Sequence, residues 1–166
     1  WPGWLFYASV HFTPNDPSWR NFPALNQYVT RCQSFLQQGT ADNDVLLYYP
    51  LYDSWSARGT DLLKHYDQLE PEFKGTGFAA CAALMQDKGY AFDYISDRQL
   101  QQTTAKEKGI LTAGGVYKTI VIPGCRYISA GAFDRLVQLA TSGINIIFYK
   151  DFPVDVPGWN ARGRRR

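Results

Sequence analysis

Cysteine is scarce in this 166-residue chain and follows no pattern. Cys32, Cys81 and Cys125 make an odd set without a CxxC spacing, which argues against both a zinc site and a disulfide framework. Histidine is scarcer still, with only His11 and His65. No segment is apolar and long enough to cross a bilayer, so no membrane partner is expected. No secretion leader opens the sequence either. The first residue is Trp1 rather than Met, so the chain is expected to be an excised piece whose missing leader says nothing of location. Neither a GxGxxG nor a Walker phosphate loop is present. A surplus of one charge is also lacking, since 17 basic residues face 15 acidic ones. The net +2 depends on the tail Arg162-Gly163-Arg164-Arg165-Arg166, without which the chain would be slightly acidic. No basic stripe in the body supports that tail, so nucleic acid is not an expected partner.

Apolar and aromatic residues, by contrast, are plentiful. The chain is 45% hydrophobic and 16% aromatic, enough for the core of one domain. Flat rings fill cores, and they also lie against the C–H faces of pyranose sugars.

Residues 1–20 are dense in Trp, Phe and Pro around a strand-like Leu5–His11, followed by the turn-rich Thr13–Ser18. Leu25, Tyr28, Val29, Cys32 and Leu36 recur at helical spacing and predict an apolar helix face over 23–38, with Asn21 as N-cap, Pro23 in the first turn and Gly39 as stop. Asp44–Tyr49 is an apolar run of the kind that is buried on both faces. Helices are predicted over 60–69, 76–88 and 132–141, and a helical turn over 97–103. Further strands are predicted at Tyr90–Ile95, Tyr117–Ile122 and Ile144–Tyr149, with a small hairpin around Ile110-Leu111 and Gly114-Gly115. The alternation implies an α/β, flavodoxin-like three-layer sandwich: a short, mainly parallel sheet in the order 2-1-3-4. The expected organisation is an opening segment and helix over 1–39, the α/β domain over 40–158, and a disordered basic tail over 159–166.

Ligands approach an open parallel sheet at the C-terminal strand ends, where strand order reverses. That point lies between the strands ending at Tyr49 and Ile122. The loop after the first carries Tyr52, Asp53 and Trp55, a carboxylate between rings that suits a sugar's hydroxyl and apolar face. The plainer reading is a turn aspartate, with the rings packed on a neighbouring domain. The loop after the other strand holds Gly124-Cys125-Arg126, similar to the turn on which class I glutamine amidotransferases present a thiolate. Both histidines precede Cys125 and Tyr127 replaces the second glycine of that turn, so the scaffold is expected without the reaction. Cys32 and Cys81 are expected as buried small hydrophobes. Gly75-Thr76-Gly77 reads as a helix-entry turn rather than an anion site. Asp53, Asp93 and Asp97 stand near strand ends, where an acid pair for glycoside hydrolysis would need to sit. Asp93 falls inside an apolar strand and is expected to bond backbone or a nearby Arg. His11, flanked by aromatics near a strand end, is either a sugar contact or a structural histidine.

Several strings together resemble glycoside hydrolase family 106, the α-L-rhamnosidases: Trp1–Ser9, Asn26–Ser34, Asp44–Pro50, Phe92–Asp97, Ile120–Cys125 and Val156–Gly158. The resemblance implies a (β/α)8 catalytic barrel followed by an amidotransferase-like α/β domain, hydrolysis of α-L-rhamnosides with inversion by two barrel glutamates, and a calcium ion near the sugar. Residues 1–39 would then be the end of the barrel and its connecting helix. Glu70, Glu72 and Glu107 do not match the acid and base, so no catalytic residue, metal ligand or cofactor is expected in this chain. The resemblance implies that the barrel is a partner on the same polypeptide, that the carbohydrate contains rhamnose, and that the parent is exported. His11 and Asn15 would lie on the barrel loop that approaches the sugar. The chain is therefore expected to be an accessory domain, inactive alone, with Tyr52, Asp53 and Trp55 lining one wall of the site. A free-standing sugar- or anion-binding module is the alternative, and a Cys-dependent amidotransferase relative a further one.

Overall fold

The structure, a computed structural model, describes residues 13–56, 73–107 and 109–158. It forms two compact units, Trp1–Ala41 and Asp42–Arg166. His11, the expected helix over 60–69 and the basic tail lie outside the described residues.

In the first unit, Asp16 Oδ1 accepts hydrogen bonds from Ser18 Oγ at 2.5 Å and Ser18 N at 2.7 Å. These donors hold the Asp16 carboxyl below its ordinary value. The 3-10 turn Trp19–Asn21 runs directly into α1 (Phe22–Leu36). Asn21 occupies the N-cap position as expected, but its backbone is helical and its side chain makes no capping bond. The preceding turn supplies the start of the helix instead. The apolar stripe lies on this helix with Leu25, Tyr28, Val29 and Leu36 exposed, and Cys32, expected as a buried small hydrophobe, is only half-buried.

The second unit is built on a four-stranded parallel sheet of β1 (Val45–Tyr48), β2 (Phe92–Ile95), β6 (Thr119–Ile122) and β7 (Asn145–Phe148). Its order is β2-β1-β6-β7, which is the expected 2-1-3-4. The two-residue period of the strands divides the core between two faces. Leu46, Tyr48, Ile120 and Ile122 point to one face and pack with Leu100, Ala132, Leu136 and Leu139. These partners come from α4 (Asp97–Gln101) and α5 (Ala130–Thr141). Leu47 and Val121 point the other way, onto Phe78, Cys81 and Met85 of α3 (Gly77–Asp87). Helices thus cover both faces. Each fully buried Leu or Ile contributes about 1.5–3 kcal/mol. Thr76 caps α3 by accepting from Ala79 N, and Ser96 forms a reciprocal capping box with Gln99 at α4.

The hairpin gains a strand over the expectation. β3 (Thr104–Lys106), β4 (Gly109–Leu111) and β5 (Val116–Tyr117) form a separate antiparallel sheet. Tyr117 was expected at the start of the third core strand. It belongs instead to this sheet, where its ring enters the core and its hydroxyl donates to Asp93 Oδ2 at 2.7 Å. Asp93 also accepts from Asn43 Nδ2 at 2.9 Å, so its side-chain partners are an amide and a phenol rather than backbone or an arginine.

Candidate functional site

Pro50 stops β1, and α2 (Leu51–Ser56) begins just beyond the C-terminal end of that strand. A helical turn places Tyr52 and Trp55 on one side of α2, three residues apart. Their rings meet edge to face at 5.9 Å and 88°, and Trp55 remains 71% exposed. Asp53 points elsewhere. Its Oδ2 accepts from Arg126 N at 2.7 Å and its Oδ1 from Tyr127 N at 2.8 Å. Both oxygens are therefore engaged by the loop after β6. The aspartate straps α2 to that loop across the position where strand order reverses.

The start of α3 comes close to the same loop. A Cβ on Gly77 would stand 2.6 Å from Gly124 O and 3.0 Å from Gly124 N, so the first turn of α3 lies directly on the backbone that follows β6. Thr76 is committed to the cap, which supports the helix-entry reading of Gly75-Thr76-Gly77.

Asp97 is buried at the start of α4. Its Oδ2 accepts from Tyr48 OH at 2.7 Å, and its Oδ1 accepts from Ser129 Oγ at 2.5 Å and Ser129 N at 3.2 Å. Burial, then the bond to Asp97, raises the Tyr48 phenol far above its ordinary value. The strand-end carboxylates Asp53, Asp93 and Asp97 thus all receive donors from within the fold.

Cys125 is buried in this network. Burial pushes its thiol up to about 12, with the charges of Asp53 and Asp97 adding to the effect. A nucleophilic cysteine needs the opposite shift. The raised thiol weighs against the weaker alternative, an amidotransferase-type use of Cys125.

Outside Asp53, the edge is lined by cations and rings. The Arg126 guanidinium lies over Tyr127 at 5.2 Å, and Lys150 Nζ lies over Tyr149 at 5.3 Å. Arg126 O accepts from Val154 N and Asp155 N, which fixes the loop on its far side. Sequence reasoning missed both cations. Only their place just after predicted strands could have indicated them. Asn15 is exposed in the other unit, in the turn before α1. Among the described residues no group of three or more His, Cys, Asp or Glu is placed to hold a metal ion.

No family model matches the chain. It is 26% identical over 144 residues to a Formosa agariphila protein described as "Putative beta-glucuronidase". The match takes in 86% of this chain but spans only about a tenth of that relative's length. A crystal structure of β-galactosidase from Bifidobacterium adolescentis aligns with 69% of this chain and 43% of its own, at 18% identity and a TM-score of 0.43. Neither protein is named as an α-L-rhamnosidase, so that part of the resemblance gains nothing from these comparisons.

Proposed function

We propose that this chain is an accessory part of a larger glycoside hydrolase, with a flavodoxin-like α/β unit whose Tyr52–Trp55 edge lends an aromatic wall to a saccharide site. The observation that carries the reading is the engagement of Asp53, Asp93 and Asp97 in hydrogen bonds within the fold. A glycosidase needs two carboxyl groups facing one sugar, one to protonate the leaving oxygen and one to attack or to activate water. Here these aspartates fix loops, while the exposed Trp55 offers an apolar ring face to a ligand. The resemblance of the sequence strings favours an α-L-rhamnoside as the sugar, and the description of the relative favours a β-glucuronide.

The saccharide site is tested by NMR titration of the full chain with methyl α-L-rhamnoside, methyl β-D-glucuronide and D-glucose, following the Trp55 indole N–H. The expected result is a saturable shift of that indole and of the backbone amides of residues 52–56 in the wild type, with the same sugars leaving those amides unmoved in a folded Trp55→Ala variant. An indole that no sugar moves would overturn the reading.

A further inference from the structure

Asp53 and Asp97, at the ligand-facing end of the sheet, are tied into the fold, while among the described residues Arg126 and Lys150 beside them form no ion pair. Among the described residues, the ion pair that forms is Lys118–Asp44, at the opposite end of the strands. Arg126 follows β6 and Lys150 follows β7, and each is exposed and lies over a tyrosine ring. The Arg126 backbone is held on both sides, by Asp53 through its N–H and by Val154 and Asp155 through its carbonyl. Its backbone mount is thus fixed, and among the described residues its guanidinium lies over Tyr127 without an ion pair. Two carboxylates lie close by. Both Asp53 oxygens are taken by backbone N–H groups, and Asp151 Oδ2 stands 3.9 Å from where a Gly124 Cβ would be.

Lys150 supplies the second observation. Its φ is +71°, a left-handed conformation that residues with a Cβ rarely adopt. Asp151 N donates to Tyr149 O at 3.2 Å across it, and its Cβ stands 3.9 Å from the Cβ position of Gly124. Glycine would suit this backbone better. A strained lysine at a strand end, on the side where ligands approach, is the kind of outlier that points to a function for its side chain.

We infer that Arg126 and Lys150 recognise the carboxylate of an acidic sugar whose ring rests on the Tyr52–Trp55 edge. The inference depends on the saccharide-site reading above and narrows its ligand class to uronates. A guanidinium can take both oxygens of a carboxylate at once, while an ammonium adds a point charge.

The test is NMR titration of the full chain with sodium D-glucuronate, D-glucose and sodium acetate, on the wild type and on Arg126→Gln and Lys150→Gly. Glucuronate is expected to shift the Trp55 indole and Arg126 Nε–H signals together and to bind about tenfold more tightly than D-glucose, the gain of one charge-assisted contact. Arg126→Gln should remove that tenfold preference and leave D-glucose binding unchanged. Lys150→Gly should do the same while raising Tm by about 3 °C through relief of the backbone. Equal binding of glucuronate and D-glucose would overturn the uronate inference and leave the saccharide site standing. Acetate competing as well as glucuronate would overturn it also, because the sugar ring would then contribute nothing. A silent Trp55 signal with every ligand would remove both readings.

Discussion

The Tyr48 hydroxyl donates to Asp97 Oδ2 at 2.7 Å, joining the end of β1 to the start of α4 across 49 positions of sequence. Ser129 fills the other Asp97 oxygen from the N-cap of α5, so one buried carboxylate ties three elements together. Removing one donor should matter less than removing the acceptor. Tyr48→Phe is expected to lower stability by about 1 kcal/mol, and Asp97→Ala by about 3 kcal/mol because it leaves three donors, the buried Tyr48 hydroxyl and the part-buried Ser129 hydroxyl and amide, without their acceptor. Urea denaturation checks the order, and a milder loss for Asp97→Ala would contradict it.

Gly77 sits at the first position of α3, where alanine would ordinarily favour the helix by about 1 kcal/mol. The Cβ would stand 2.6 Å from a backbone oxygen that cannot rotate away. Gly77→Ala is therefore expected to destabilise by about 1–3 kcal/mol. Thermal unfolding decides the sign, and a raised Tm would show that the α3–Gly124 approach is looser than described.

Asp53 is the strap between α2 and the loop after β6. Asp53→Ala should free the Arg126 and Tyr127 amides and speed their hydrogen exchange by roughly tenfold or more, while amides of α5 keep their protection. Unchanged exchange at 126 and 127 would mean that the strap is dispensable.

Cys125 should be sluggish toward iodoacetamide at pH 8, because its thiol, ordinarily near 9, is raised to about 12 and stays protonated. The same shift affects stability. Between about pH 9 and 12 the unfolded thiol has lost its proton and the folded one has not. The unfolded state thus binds fewer protons there, and stability falls as pH rises. Cys125→Ala should flatten that fall. An alkylation rate above that of a small-molecule thiol would contradict the assignment.

The parallel sheet was legible because its strands are short apolar runs bounded by Asn, Gly and Pro. Asp44–Tyr49 shrank only to Val45–Tyr48, and Tyr90–Ile95 to Phe92–Ile95. The helix over 76–88 became Gly77–Asp87 with the Thr76 cap. Boundaries failed where tertiary contacts outweighed local pattern. Tyr117 continues the β-rich run into Ile122, yet its hydroxyl is drawn to Asp93, and the chain turns at Lys118 between the two sheets. The stripe on α1 has clear periodicity and no burial, since periodicity reports which residues share a face and not whether anything covers it. The place of Tyr52, Asp53 and Trp55 just after β1 was legible, but sequence could not reveal that Asp53 bonds the loop after β6 while Trp55 stays exposed. Hydrogen bonds spanning about seventy residues, such as Asp53 to Arg126 and Tyr127, leave no local signal.

As proposed, this chain contributes loops to a sugar site and no acid–base pair of its own. The most direct test is turnover of 4-nitrophenyl α-L-rhamnoside and 4-nitrophenyl β-D-glucuronide by the purified full chain. Release of nitrophenol is expected at the rate of the enzyme-free control. Hydrolysis well above that rate, lost in Asp53→Asn or Asp97→Asn, would contradict it.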